Sequence, residues 1–267
     1  LTRLQAETEI RQAIDRREFL VYYQPVVSLQ TGRIVSLEAL ARWRHPIRGL
    51  IAPNKFIPIA EETGLIFPIS EIIFEKAFMQ LRSWLDAGFE DLSMSVNVSA
   101  RHLQDKSLPS LISGYLSQAG LSGHNISLEI TESAMMLDLE QSLLVLGELR
   151  ELGVQISIDD FGTGYSSLAY LKRLAANSIK IDKAFIKDVV ENSDDATIVS
   201  AIVAMGHVLS MDVVAEGVEN REQIRFLKRQ FCEKAQGFFF SRPVPPEYIT
   251  EVLISGYIYP IEDTNVA

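Results

Sequence analysis

Residues 126–159 read ISLEITESAMMLDLEQSLLVLGELRELGVQISID, and the alternation within them decides the fold. Ile126–Thr131 predicts a strand, Leu139–Leu152 a helix closed by Gly153, and Val154–Asp159 a second strand. Both strands carry one pattern, Ser127-Leu128-Glu129 and Ser157-Ile158-Asp159: a serine, an apolar residue, then an acid. Residues two apart in a strand share a face, so each tripeptide sets a small hydroxyl and a larger polar group opposite an apolar one. Three more strand-like segments repeat it, as Ser36-Leu37-Glu38, Ser95-Val96-Asn97 and Ser178-Ile179-Lys180. Polar groups buried at the ends of separate strands are costly without partners. Their convergence on a metal, a substrate or both is therefore the expectation.

Outward from this unit the rhythm continues. Residues 1–18 read as a helix with Leu4, Ile10, Ala13 and Ile14 toward one side. Phe19–Leu29 and Ile34–Ala41 are strands joined by Gln30-Thr31-Gly32-Arg33, a link so short that they must be antiparallel neighbours. Then come a helix over Glu71–Ala87, a strand at Leu92–Ser99 and helical residues at Leu108–Ala119. After Asp159 follow a loop Asp160–Ser167, a helical stretch Leu168–Arg173, a strand Ser178–Ile181 and a helix Asp195–Ser210. A strand at Asp212–Ala215, a helix at Arg221–Arg229 and a last strand near Ala235–Ser241 complete the series. Strands separated by helical crossovers form a parallel sheet. About eight of them in one chain of this size close into an α/β barrel, with one hairpin strand running against the rest. An open doubly wound sheet is the alternative, but it would concentrate polar inward faces at its switch-point strands. The expected division is a connecting helix over 1–18, the barrel over 19–260 and a tail over 261–267, with Pro243–Pro246 already part of a fraying end.

Composition narrows the function classes. Of 267 residues, 25 are Lys or Arg and 35 Asp or Glu, a formal net charge of −10. That excludes a polymeric nucleic-acid binder working through a basic surface. A small anionic ligand is compatible if a bound cation reverses the local field. Cys232 stands alone, so neither a disulfide framework nor a Cys-based zinc site is available. No apolar run reaches the roughly 18 residues of a membrane span, and no secretory signal opens the chain. The first residue is Leu, which suggests a piece of a longer protein. The expected location is cytoplasmic with no membrane contact from this segment, although the full-length protein could be membrane-anchored.

Barrel active sites lie at the C-terminal ends of the strands. Glu38, Asn97, Glu129 and Asp159 each fall late in a strand, as do Glu216 in Val213–Glu219 and Gln236. Asp160 follows Asp159 directly, and Glu132 follows Glu129 by three. A ring of hard oxygen ligands without Cys favours Mg²⁺ or Mn²⁺. His45, His102, His124 and His207 lack ligand spacing and are expected at the surface or the core edge. Unneutralised, so many carboxylates would repel one another. Two ions ~3.5–4 Å apart would relieve that and could activate a water for in-line attack at a phosphoryl group. A structural ion-pair network with Lys and Arg is the alternative. Lys180 is expected to orient the attacking water, to offset the acidic cluster, or both. The run Phe161-Gly162-Thr163-Gly164-Tyr165-Ser166-Ser167 is a candidate lid or a plain turn, with Glu132 as a candidate anchor, and is not a P-loop. Arg42-Trp43-Arg44 offers a guanidinium for phosphate and an aromatic face for a base, with a core role for Trp43 as the alternative. Phe238-Phe239-Phe240 reads as strand core.

With these residues in place, the chain resembles the EAL family of cyclic di-GMP phosphodiesterase domains. The resemblance runs from Tyr23-Gln24-Pro25 to Ser241-Arg242-Pro243 and includes Glu38-Ala39-Leu40-Ala41-Arg42, Ser95-Val96-Asn97, Leu128-Glu129-Ile130-Thr131-Glu132 and Asp159-Asp160-Phe161-Gly162. Lys180-Ile181-Asp182, Ala215-Glu216-Gly217-Val218-Glu219 and Gln236-Gly237-Phe238 complete it. It implies a modified (β/α)8 TIM-type barrel with one antiparallel strand. It also implies hydrolysis of cyclic di-GMP to linear pGpG in second-messenger signalling, with two ions of Mg²⁺ or Mn²⁺ per site. On that resemblance Glu38, Asn97, Glu129 and Asp159 would be metal ligands, Asp160 would bind the second metal, and Lys180 would hold the catalytic water. Glu216, also a metal ligand, and Gln236 would complete the catalytic site with Glu38 and Lys180. Gln24, Leu40, Arg42, Asp182 and Gln236 would contact the nucleotide, while Glu132 and Glu219 would support nearby loops. A homodimer and an upstream sensory or GGDEF-type domain are also implied. Ala175, Asn177, Asn220 and Glu233 depart from common family residues, and none is an expected metal ligand. A catalytically inactive cyclic di-GMP receptor and a metallophosphodiesterase for another nucleotide are the competing functions.

Overall fold

A computed structural model of the chain describes residues 3–162 and 168–256. The hairpin forms as expected: β1 (Phe19–Ser28) pairs antiparallel with β2 (Ile34–His45), and Gly32 turns the link at φ +73°. A short β3 (Gly49–Ile51) folds back on β2. Six more strands follow, β4 (Ser93–Asn97), β5 (Ile126–Thr131), β6 (Gln155–Phe161), β7 (Ser178–Ile181), β8 (Asp212–Ala215) and β9 (Lys234–Ala235). From β2 through β4 to β9 every neighbouring pair is parallel, and β1 runs antiparallel to both β2 and β9. The sheet therefore closes on itself as an eight-stranded barrel, with β3 as an appendage. Closure rules out the open doubly wound sheet.

The repeated tripeptide explains the layering. Its central residues Leu37, Val96, Leu128, Ile158 and Ile179 are all buried beneath the helices, which leaves the flanking polar residues facing the barrel interior. The helix Ile66–Asp86 packs Ile69, Ile73, Phe74, Ala77, Leu81 and Trp84 inward, a spacing of three and four that forms one continuous stripe. Each large side chain so buried contributes about 1.5–3 kcal/mol. This helix starts five residues before the expected Glu71, because Ile66 and Ile69 extend the same stripe.

Three expectations need correction. The last strand stops at Ala235, because Gln236 bonds back to the Ala215 carbonyl and the chain then follows the loop after β8, where Phe239 N–H donates to Val218. Phe238 is consequently not strand core but half-exposed, with the Arg242 guanidinium 4.1 Å above its ring. Nor does the chain fray at Pro243–Pro246. Val244 pairs with Tyr23, and Pro246–Ser255 is a helix that Pro246 opens, since a missing N–H costs nothing in a first turn. Ile249 is buried, and Trp84 Nε1 donates to Thr250 Oγ1 at 2.9 Å. Finally, the helix Arg3–Asp15 buries Ile10 and Ala13 as expected, but Leu4 in its first turn is exposed.

No helix among the described residues is long and apolar enough to cross a membrane. Most of the expected lid, residues 163–167, and the tail 261–267 lie outside the described residues.

Candidate active site

Lys180 organises the barrel mouth. Strand β7 points it inward, 2% exposed, with Nζ 2.6 Å from Glu216, 2.7 Å from Glu129, 3.3 Å from Glu38 and 3.4 Å from Asp159. Glu38 lies within β2, Glu129 and Asp159 late in β5 and β6, and Glu216 just past β8; the repeated pattern implied the convergence of the first three with Lys180. Asn97 Nδ2 donates to Glu38 Oε1 at 2.8 Å, and Gln236 Nε2 donates to Glu38 Oε2 at 2.7 Å and to Gln24 Oε1 at 2.9 Å. Gln24 in turn donates to the Ser241 carbonyl. Beneath the charged layer Ser178 Oγ donates to Ser157 Oγ at 2.8 Å. The small serines leave the long acidic and basic side chains room to meet above them.

Asp159 and Asp160 reach one point by a backbone device. Successive strand residues normally face opposite sides, but Asp160 has φ +52°, which breaks the alternation. One oxygen each from Asp159, Asp160 and Glu216 then lies within 4.8 Å of the others. Asp160 also hydrogen-bonds Asp182, which accepts from Ala184 N–H at 2.7 Å and caps the helix Lys183–Lys187.

The charge balance is strained toward a cation. Burial first, then Asp159 and Asp182, push the Asp160 carboxyl up to about 6. Burial, opposed by Lys180 but reinforced by Asp159 and Glu38, takes Glu216 to about 7. Glu129 is raised well above the usual range by burial and by Glu38. Burial acts to raise Glu38 too, but Lys180 and the hydrogen bonds from Gln236 and Asn97 outweigh it and hold it below the ordinary value. Burial disfavours the charge on Lys180, yet the surrounding acids keep it firmly protonated. One ammonium thus faces Glu38, Glu129, Asp159 and Glu216, with Asp160 and Asp182 adjoining. The Asp159 Oδ1 atom is buried and makes no hydrogen bond, its contact with the Lys180 ammonium being a long ion pair at 3.4 Å. A hard oxygen set of converging carboxylates that one ammonium must serve fits a divalent cation such as Mg²⁺ or Mn²⁺.

Other expected residues are placed as follows. Glu132 is buried at the start of the helix Glu132–Met136, and neither carboxylate oxygen finds a hydrogen bond among the described residues. Glu219 is exposed in the loop after β8, outside the Lys180 network. Arg42 is half-buried beside Tyr22, its guanidinium 5.6 Å from that ring. Trp43 is core: it stacks edge-on with Phe56 and donates Nε1–H to Glu18, so it offers no face to a base. His102 is buried with Nδ1 2.9 Å from Ser99 Oγ, and burial lowers it to about 4.

A cavity of about 520 Å³ adjoins Glu38 and Asn97, bounded by Leu40, Ile57, Glu61 and Leu137. Sequence reasoning passed over Glu61. The signal was available, since Glu61 stands one helical turn beyond Ile57, an acid on an apolar face.

Residues 7–243 match the EAL domain. The chain is 47% identical over 246 residues to the Pseudomonas aeruginosa protein named bifunctional diguanylate cyclase/cyclic di-GMP phosphodiesterase MucR, covering 92% of this chain and 36% of that one. It is 45% identical over 250 residues to the cyclic di-GMP phosphodiesterase NbdA of the same organism, covering 94% and 32%. It therefore spans about a third of the length of these curated relatives. A solved structure described as PaMucR phosphodiesterase in complex with c-di-GMP superposes with a TM-score of 0.89 at 47% identity, over 92% of this chain and 99% of that one. By its barrel, its strand-end residues and this match over most of its length, the chain belongs to the EAL domain family.

Proposed function

We propose that this chain is the phosphodiesterase module of a longer cytoplasmic or membrane-anchored signalling protein, and that it hydrolyses cyclic di-GMP to linear pGpG with Mg²⁺ or Mn²⁺. The observation that carries the reading is the Lys180-centred ring of carboxylates beside the Asp159, Asp160 and Glu216 cluster. The two named relatives and the c-di-GMP complex of a 47% identical protein support the choice of substrate.

In this reading a water oxygen bonds to one phosphorus, the bond from that phosphorus to the sugar 3′ oxygen breaks, and a proton passes to the departing 3′ oxygen. The product ends in a 5′-phosphate. Two divalent ions would supply Lewis acidity toward the phosphoryl oxygens and a more acidic water. Glu38, Asn97, Glu129 and Asp159 would hold one ion, and Asp159, Asp160 and Glu216 the other. Lys180 is a donor-only ammonium held by four acceptors, so its role is to orient the water and steady developing negative charge rather than to take a proton. Gln236 fixes the Glu38 carboxylate and, with Gln24, Leu40, Arg42 and Asp182, meets the nucleotide. Glu132 and Glu219 would brace the neighbouring loops. A homodimer and an upstream sensory or GGDEF-type domain, joined through the connecting segment that holds the helix Arg3–Asp15, belong to the same proposal.

The test is nucleotide chromatography after incubation with cyclic di-GMP and Mg²⁺, Mn²⁺ or EDTA, alongside Glu38→Ala. The expected result is metal-dependent pGpG that disappears in Glu38→Ala. Tight binding with no product under any metal would instead identify a receptor.

A further inference from the structure

The cavity beside Glu38 and Asn97 has a volume of about 520 Å³, within the ~300–1,000 Å³ range of small-molecule sites. It runs from the catalytic ends of β2 and β4 to the helix Ile57–Thr63 and the start of Ile66–Asp86. Its walls are largely aliphatic, which suits the faces of a planar heterocycle. Among the described residues, Glu38 and Glu61 are the charged side chains of the lining, and Glu38 is already engaged by Asn97, Gln236 and Lys180. Two of the lining hydroxyls are also engaged: Ser99 caps the helix Ala100–Leu103 and meets His102, and Thr131 caps Glu132–Met136. The Glu61 carboxylate, by contrast, has no hydrogen bond and no ion pair within 4.0 Å among the described residues; its nearest charged influence is Arg101. Burial lifts its carboxyl above the ordinary value, as expected for an acceptor set against an apolar wall.

We propose that Glu61 determines the base specificity of this site, its carboxylate accepting hydrogen bonds from the Watson–Crick edge of one guanine of the substrate. The inference rests on the cyclic di-GMP reading above and deepens it. Guanine presents two adjacent donors on that edge, the ring N1–H and the exocyclic amino group, and a carboxylate presents two acceptors in matching geometry. Adenine presents an acceptor at ring N1, which would face the carboxylate without a hydrogen between them. Hypoxanthine keeps N1–H but lacks the amino group. The ranking expected at this pocket is therefore guanine, then hypoxanthine, then adenine.

The experiment measures equilibrium binding and steady-state kinetics with cyclic di-GMP, its inosine counterpart and cyclic di-AMP, for the wild type, Glu61→Gln and Glu61→Ala. Thermal melting checks that each variant is folded. The wild type is expected to favour cyclic di-GMP over the inosine dinucleotide by about tenfold, as for loss of one hydrogen bond to a charged acceptor. In Glu61→Ala that preference should fall to near unity and KM for cyclic di-GMP should rise about 10- to 100-fold, with kcat at saturation nearly unchanged. Glu61→Gln, which swaps one acceptor for a donor, should narrow the gap between cyclic di-GMP and cyclic di-AMP. Folded variants with the wild-type preference and KM would overturn the role of Glu61 while leaving the phosphodiesterase reading intact. A wild type that neither binds nor cleaves cyclic di-GMP would overturn both.

Discussion

The Lys180 ammonium lies 2.6 Å from the Glu216 carboxylate, across two adjacent strands whose register sets Lys180 beside Val214. Glu216 sits two residues beyond that partner, just past the end of β8. The lysine therefore reaches upward, and the acid closes over it from the loop. This pair fixes the height of the charged layer in the barrel.

Removing the ammonium should damage both stability and turnover. Lys180→Met leaves Glu129, Glu38, Asp159 and Glu216 facing one another without a counter-charge. Losing one partner of a buried charge network costs about 3–5 kcal/mol. Urea unfolding in EDTA should show a loss of that order, and hydrolysis should be abolished even where the variant remains folded.

Metal affinity should rise with pH. Asp160 is held up at about 6 and Glu216 at about 7, so both must give up protons to bind a cation. Titration calorimetry with Mn²⁺ should show Kd falling by about 10- to 100-fold between pH 5.5 and 7.5. In metal-free protein the same groups act with the opposite sense on stability. Their folded values lie above the unfolded ones, so their contribution is complete at low pH and is lost as pH rises through about 6 and 7. Asp160→Asn should weaken binding and flatten the pH profile.

His102 works in the other direction. Its folded value of about 4 lies below the ordinary 6.5, so it stays neutral in the fold while the unfolded chain takes up a proton. Its stability contribution is whole above pH 6.5 and is lost as pH falls toward 4, on the order of 2 kcal/mol by pH 5. Because the active-site acids oppose this trend, the measurement is a difference. Wild type minus His102→Phe, by urea unfolding at pH 7 and pH 5, should isolate a loss confined to the wild type. Phe67 and Phe74 beside the imidazole make the replacement ring compatible with its surroundings.

Gln236 connects the last strand to the first hairpin through Gln24 and Glu38. Gln236→Leu removes the donor to a buried carboxylate, a loss of about 1.5–3 kcal/mol for a charge-assisted bond. Chemical denaturation should register that loss, and kcat/KM should fall because Glu38 is no longer fixed.

What was legible in the sequence follows from periodicity. Ser157-Ile158-Asp159 and its four counterparts can be assigned a face because strands have a period of two, and their central residues are indeed buried on the outer side of the barrel. The hairpin was legible because Gln30–Arg33 is too short for a crossover. Phe238-Phe239-Phe240 is ambiguous because an apolar run without alternation fits a strand and a packed turn equally well, and only the bonds that Gln236 and Phe239 donate to the Ala215 and Val218 carbonyls decide it. The helix Pro246–Ser255 was hidden because its prolines mark a helix start as readily as a chain end. The distances around Lys180 depend on the stagger of strands that are far apart in sequence, which no local pattern encodes. The place of Glu61 on an apolar helix face is legible, but its meaning comes from a cavity formed with residues from three other segments, Glu38–Ala41, Val96–Ala100 and Thr131–Leu137.

The central claim is that the acids around Lys180 form a divalent-metal centre. Anomalous diffraction from crystals grown with Mn²⁺ tests it most directly. The account expects a manganese peak bounded by Asp159, Asp160 and Glu216, lost in Asp160→Asn. Manganese bound only elsewhere, with this cluster still closed around the Lys180 ammonium, would contradict it.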